Sequence, residues 1–195
     1  MSKLIEQILS VAKTMPEGKL LYTKEFLHLG SRASIDKTFS RLTQEGKLMR
    51  VSRGAYAIPY EGRFGVRSPS TQSVIQSIEA SYCETIVDTG TTEANALGLT
   101  TQVPVREVFL TSGPSRTLQL GNRCVELKHG KRWQLALGKR LAGSVVRAVA
   151  WIGSDKAPQA LKELKVKLPE SEWKALLETR HLLPSWMAKA VSEVI

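Results

Sequence analysis

The sequence predicts an α+β protein, and three observations lead to that class. Between Ser31 and Gly46 the apolar residues Ile35, Phe39 and Leu42 recur at the spacings of one helix face. Directly after that run come two short extended segments, Leu48-Met49-Arg50-Val51 and Ala55-Tyr56-Ala57-Ile58. Ser52-Arg53-Gly54 joins them and Pro59 stops the second, which is the pattern of a β-hairpin. Further on, short β-rich runs separated by Gly113-Pro114 and Gly121-Asn122 turns precede three helical stretches, each with a proline at or near its start. The chain is therefore expected to mix helices with small antiparallel strands and to end in helices.

The elements follow in order. Ser2 to about Lys13 reads as a helix with Leu4, Ile8, Val11 and Met15 on one stripe, widened by Ile5 and Ala12. Pro16-Glu17-Gly18-Lys19 breaks it. Leu20-Leu21-Tyr22 is short and extended, Thr23 can cap a brief helix to Leu29, and Gly30 turns the chain. Ser31 then serves as N-cap of the next helix, which Gly46 ends as a C′ glycine. Opposite its apolar stripe lie Ala33, Lys37, Ser40 and Gln44, flanked by Ser34 and Arg41, a face that is small, polar and basic. Helix, strand, helix, turn, helix, hairpin is the order of a winged helix-turn-helix. His28, beside the turn, reads as a partly buried packing residue.

The Gly- and Arg-rich stretch around Tyr60-Glu61-Gly62-Arg63-Phe64-Gly65-Val66-Arg67 reads as a linker. The domain organisation expected is thus 1–60 winged helix-turn-helix, 61–69 linker, and 70–195 a mixed α/β domain with a small antiparallel sheet and a helical end. Within the last part, Ser70–Ser81 reads as a helix and Thr85–Asp88 as a strand. A small helix follows from Thr92 to Leu97, closed by Gly98. Strands are expected at Glu107–Thr111, Arg116–Leu120 and Cys124–Lys128, in a meander. Arg140–Ile152 is helical with Val145, Val146, Val149 and Ile152 inward, and Pro158–Leu164, Pro169–Thr179 and Pro184–Val194 complete the chain.

Charge narrows the function. The 195 residues carry a formal net charge of +10 at a pI near 9.8, which favours a polyanionic partner, nucleic acid before membrane. Up to Arg67 there are twelve Lys/Arg against six Asp/Glu, and sixteen against twelve beyond it, so charge density peaks in the first third. No run approaches the ~18 apolar residues of a membrane span, and Met1–Glu6 lacks a signal peptide's apolar core, so the expected compartment is the cytoplasm. Cys83 and Cys124 have no CxxC spacing and read as reduced, buried small hydrophobes.

Motifs for catalysis are weak. Gly130-Lys131 and Gly138-Lys139 lack both the earlier glycine and the following hydroxyl of a phosphate-cradling loop. His129 and His181 have no ligand-spaced partners, so neither a metal nor another cofactor is expected. Asp88-Thr89-Gly90 matches the short aspartic-protease motif, in which a second aspartate is obligatory, and reads better as a strand-to-turn junction. Lys128, Lys131, Arg132, Lys139 and Arg140 surround His129 and Trp133 as a second basic cluster, ordinarily a solvated surface.

On a winged helix, Lys37, Ser40 and Gln44 are placed to meet base edges, with Ser34 and Arg41 at the groove margin and Ala33 against a thymine methyl. Ser31, at the start of the same helix, is counted among the DNA-binding residues, and Arg32, nearer its core side, is assigned to phosphate. Arg50 and Arg53 would hold the hairpin on the backbone.

Two stretches together carry a family resemblance. One is Arg53-Gly54-Ala55-Tyr56. The other is Thr89-Gly90-Thr91-Thr92-Glu93-Ala94-Asn95-Ala96-Leu97-Gly98-Leu99-Thr100-Thr101-Gln102-Val103-Pro104, followed by Val108-Phe109-Leu110-Thr111-Ser112-Gly113. With them the chain resembles the AbiEi family of bacterial antitoxins, transcriptional regulators of type IV toxin–antitoxin systems in phage defence. The resemblance implies a repressor that binds promoter DNA repeats and autoregulates its operon, paired with a nucleotidyltransferase-like toxin that many members neutralise without a stable complex. It implies no enzymatic activity. Two alternatives stand beside it: a winged-helix repressor with no toxin, and a nucleic-acid-processing enzyme with its activity in the C-terminal domain, which substitution of Asp88 and His129 would probe. A homodimer would suit palindromic sites, while single chains binding cooperatively could also span repeats.

Overall fold

A computed structural model describes residues 2–63 and 65–194 of the chain. The chain forms two compact units, Met1–Glu84 with Thr117–Val125, and Thr85–Arg116 with Glu126–Ile195.

In the first unit, α1 (Ser2–Lys13) is followed by β1 (Leu21–Tyr22), a 3-10 segment (Thr23–Leu29) and α2 (Arg32–Gln44). The expected brief helix is thus a 3-10 turn, and it is opened by Tyr22, whose amide donates to Glu25 Oε2 at 3.1 Å, rather than by Thr23. Strands β2 (Met49–Ser52) and β3 (Ala55–Ala57) pair antiparallel, Arg50 opposite Tyr56, with a bulge before Ser52. β1 pairs with the other edge of β3, giving a three-stranded sheet ordered β1-β3-β2.

The core of this unit follows from the apolar stripes. Ile35, Phe39 and Leu42 of α2 are fully buried against Ile8, Ala12, Leu21, Phe26, Leu48 and Tyr56. Phe39 anchors it, with ring centroids 5.4 Å from Phe26 and 4.8 Å from Tyr56, spacings at which aromatic pairs attract beyond their area. On α1 the buried stripe is rotated from the expected one: Ile8 and Ala12 are inside, while Val11 is 42% exposed. His28 is likewise on the surface, its Nδ1 3.0 Å from the Glu25 carbonyl, instead of packed inside.

The stretch read as a linker is structured. β4 (Tyr60–Gly62) and β5 (Gly65–Arg67) pair antiparallel, and the Arg67 guanidinium lies 4.2 Å over the Tyr60 ring. Phe64 of that stretch lies outside the described residues. Helix α3 (Thr71–Tyr82), capped by Ser70, follows and buries Val74, Ile75 and Ile78. Its Ser77 Oγ accepts the buried Leu20 amide at 2.9 Å. Cys83, in the left-handed conformation at the end of α3, and Cys124 are both exposed free thiols, contrary to the buried reading.

In the second unit, β6 (Ile86–Asp88) leads into α4 (Gly90–Ala96) and then β7 (Glu107–Thr111), which pairs antiparallel with β6. Residues 117–125, which hold most of β8 (Arg116–Leu120) and the start of β9 (Arg123–His129), belong to the first unit, and the strands are ordered β6-β7-β9-β8. The order is therefore not a meander, because β9 rather than β8 lies beside β7. The chain continues through α5 (Arg132–Leu135), α6 (Leu141–Ile152), α7 (Ala157–Lys167), α8 (Glu170–Glu178) and α9 (Ser185–Ser192). Val145, Val146 and Val149 of α6 pack with Leu161, Leu164, Trp173, Leu176, Met187 and Val191 in one core. α4 lies tight on α6: a Cβ built on Gly90 would stand 2.4 Å from the Arg147 carbonyl oxygen.

Candidate nucleic-acid interface

The α2 face is built by its two ends. At the start, the Ser31 hydroxyl accepts the Ser34 amide at 3.3 Å, so this side chain is a cap. At the finish, Gly46 (φ +70°) donates to the Thr43 carbonyl and Lys47 to the Leu42 carbonyl, the paired bonds of a Schellman stop. Both ends being fixed, and one side buried, the remaining side chains are held in register.

Ser34, Lys37, Ser40, Arg41 and Gln44 line one concavity of about 450 Å³, together with Ile5 of α1 and Thr38. Ser34, Lys37, Arg41 and Gln44 form a stripe about 15 Å long at 1.5 Å per residue. Lys37 has no ion-pair partner among the described residues. Ala33 is exposed at the N-terminal end of the helix, with Arg32 beside it. Arg50 and Arg53 are exposed on the hairpin, Arg53 at its tip next to Gly54 (φ +74°), and neither lines that concavity.

Two carboxylates outside the sequence-predicted set sit among these cations. Arg32 Nε donates to Asp36 Oδ2 at 2.8 Å, and Arg41 Nε to Glu45 Oε1 at 2.8 Å. Glu45 Oε2 also takes the Lys47 ammonium at 2.7 Å. The bonds from Lys47 and Arg41 hold the Glu45 carboxyl below the usual carboxylate range. The i,i+4 spacing of both arginine–acid pairs was the available signal.

A second charged arrangement lies inside the second unit. Arg147 is 1% exposed and Glu93 8%. Arg147 Nε and Nη2 donate to Glu93 Oε1 at 3.1 and 2.6 Å, and Nη1 to the carbonyls of Gln134 and Gly138 at 3.2 and 3.0 Å. Burial, then the nearby Glu93, push the half-buried Asp88 carboxyl up, against Arg147 and Lys139, which pull it down. With four bonds to these acceptors and Nη2 also 3.5 Å from Ser144 Oγ, the guanidinium clasps α4 to α6. The basic cluster at the end of β9 and beyond it is partly neutralised: Arg140 pairs with Glu172 at 2.9 Å and Lys128 with Glu126 at 3.4 Å. His129 is used locally, its Nδ1 2.9 Å from the Gly113 carbonyl. No group of three metal-ligating side chains occurs among the described residues, and no helix among them is long and apolar enough to cross a membrane.

The molecule is thus an α+β protein with a cationic helix face in one unit and a buried ion pair in the other. Residues 7–174 match a family of unknown function, DUF6088, and the chain belongs to that family. A search of curated proteins gave no match.

Proposed function

We propose that the first unit is a winged helix-turn-helix that binds duplex DNA, and that the chain is a repressor and antitoxin autoregulating its own promoter, partnered with a nucleotidyltransferase-like toxin. The observation that carries the DNA reading is the α2 stripe: Ser34, Lys37, Ser40, Arg41 and Gln44 share one surface on a helix fixed at both ends. A helix about 10–12 Å across fits the major groove. A stripe of about 15 Å meets four to five base pairs at 3.4 Å each. Lys37 and Gln44 read base edges, Ser40 joins them, Ala33 meets a thymine methyl, and Ser34 lies at the groove margin. Arg32, Arg41, Arg50 and Arg53 take phosphates. The net charge of +10 supports the same partner.

The test is a gel-shift titration on the DNA upstream of the protein's own gene. Lys37→Ala with Arg41→Ala should weaken binding at least tenfold, and unchanged affinity would overturn the assignment. The antitoxin half is supported by the resemblance of residues 89–104 and 108–113. Its test is co-expression with a neighbouring nucleotidyltransferase gene, where continued growth arrest refutes it.

A further inference from the structure

The cations of the α2 face are not equally available. Glu45 sits at the C-terminal end of the helix and engages two cations at once, Arg41 of the α2 face at 2.8 Å and Lys47, just past the helix, at 2.7 Å. Asp36 engages Arg32 at 2.8 Å in the same way. Lys37, between the two acids, is left uncommitted among the described residues. All these pairs are surface pairs, and such pairs are individually weak. A phosphate can therefore displace the carboxylate, but only by competing with it.

We propose that Glu45 restrains sequence-independent DNA binding by holding the Arg41 and Lys47 cations. This rests on the DNA-binding reading given above. Non-specific binding derives almost wholly from cations that replace condensed counterions on phosphates. Two cations shared with one carboxylate supply less of that attraction than two free ones. The bonds to Lys47 and Arg41 also keep the carboxyl ionised throughout the physiological range, so the restraint is permanent and does not switch near neutrality. Asp36 acts likewise on Arg32, with one cation instead of two.

The magnitude follows from counterion release. Each additional phosphate neutralised steepens the salt dependence of log K by about 0.9. If the variants converge in affinity at 1 M salt, one freed cation raises affinity about eightfold at 0.1 M salt. Glu45→Gln should therefore bind a random-sequence duplex several-fold more tightly than wild type at 0.1 M salt, approaching about eightfold for each cation fully freed, with a steeper slope. Asp36→Asn should give the smaller increase of one partly freed cation. Glu163→Gln is the control for overall charge, since it makes the same change in net charge on an exposed residue whose partner is Gln159. Glu45→Ala should behave as Glu45→Gln, and thermal melting of each variant reports whether the fold is intact.

The experiment is fluorescence anisotropy of full-length protein on a labelled random duplex across a salt series. Tighter binding with a steeper slope for both Glu45 variants, and no such change for Glu163→Gln, supports the proposal. Wild-type affinity and slope in the Glu45 variants, equal gains in Glu163→Gln, or weaker binding by folded Glu45 variants overturns it while the DNA-binding reading stands. Failure of the wild type and of every variant to bind any duplex overturns both.

Discussion

Replacing Arg147 with Met should unfold the second unit at a much lower temperature. The guanidinium is 1% exposed and gives two hydrogen bonds to Glu93 and one each to the Gln134 and Gly138 carbonyls. Arg147→Met leaves a carboxylate that is 8% exposed with no countercharge, and two carbonyls without this donor. Removing one partner of a buried pair is worth about 3–5 kcal/mol. In a unit of this size each kcal/mol moves the melting temperature by about 4 °C or more, so a fall of at least ~12 °C is expected. Glu93→Leu together with Arg147→Met should recover most of that loss, because exchanging a whole buried pair for apolar residues is often neutral. Differential scanning calorimetry of the two singles and the double closes the cycle. A fall of less than about 4 °C for Arg147→Met would refute the clasp, since it would mean that the buried carboxylate has found other partners or water.

Three further outcomes follow from the same geometry. Gly90→Ala places a methyl 2.4 Å from the Arg147 carbonyl oxygen and 2.7 Å from Trp151 Cβ, so α4 and α6 must move apart; the urea midpoint should fall by the equivalent of about 1–3 kcal/mol or more. Gly46→Ala meets no atom within 4 Å but keeps φ at +70°, so its loss, about 1 kcal/mol by the same measurement, is backbone strain alone. Asp88→Asn should raise the melting temperature at neutral pH. The folded carboxyl titrates above its unfolded counterpart, so wild-type stability is fullest below the ordinary aspartate range and declines as pH rises through the folded value. The gain from Asp88→Asn should therefore vanish at pH ~3, and an equal gain at both pH values would contradict this account.

What was legible in the sequence is what local chemistry dictates. The α2 helix announced itself by the Ile35–Phe39–Leu42 period, a serine cap and a terminal glycine, and all three operate in the structure. The strands were found because β-rich runs ended at turn residues, but their order was not, since pairing β9 with β7 depends on contacts far apart in sequence. Gly62 and Gly65 in the 60–67 segment signalled a flexible connection, whereas they flank the turn of a hairpin and pair with each other. Arg147 was invisible because an arginine on a helix is ordinarily solvated; only its place among Val145, Val146, Ala148 and Val149 hinted at burial. The polar α2 face is legible as a surface, yet its ion pairs do not follow from the balance of charges, because they depend on the i,i+4 spacing of Arg32 with Asp36 and Arg41 with Glu45.

The path of the chain bears on how fragments of it should be made. It passes from one compact unit to the other three times, at 84/85, 116/117 and 125/126. No single stop codon can release either unit whole. A recombinant piece ending at residue 69 would lose α3, and with it Val74, Ile75, Ile78 and the Ser77 hydroxyl that receives the Leu20 amide. One ending at residue 84 would keep that helix but forfeit the 117–125 tongue, whose Arg123 donates to the Pro69 carbonyl at 3.1 Å. Proteolytic nicking at one junction should accordingly yield polypeptides that stay associated until denaturant is added.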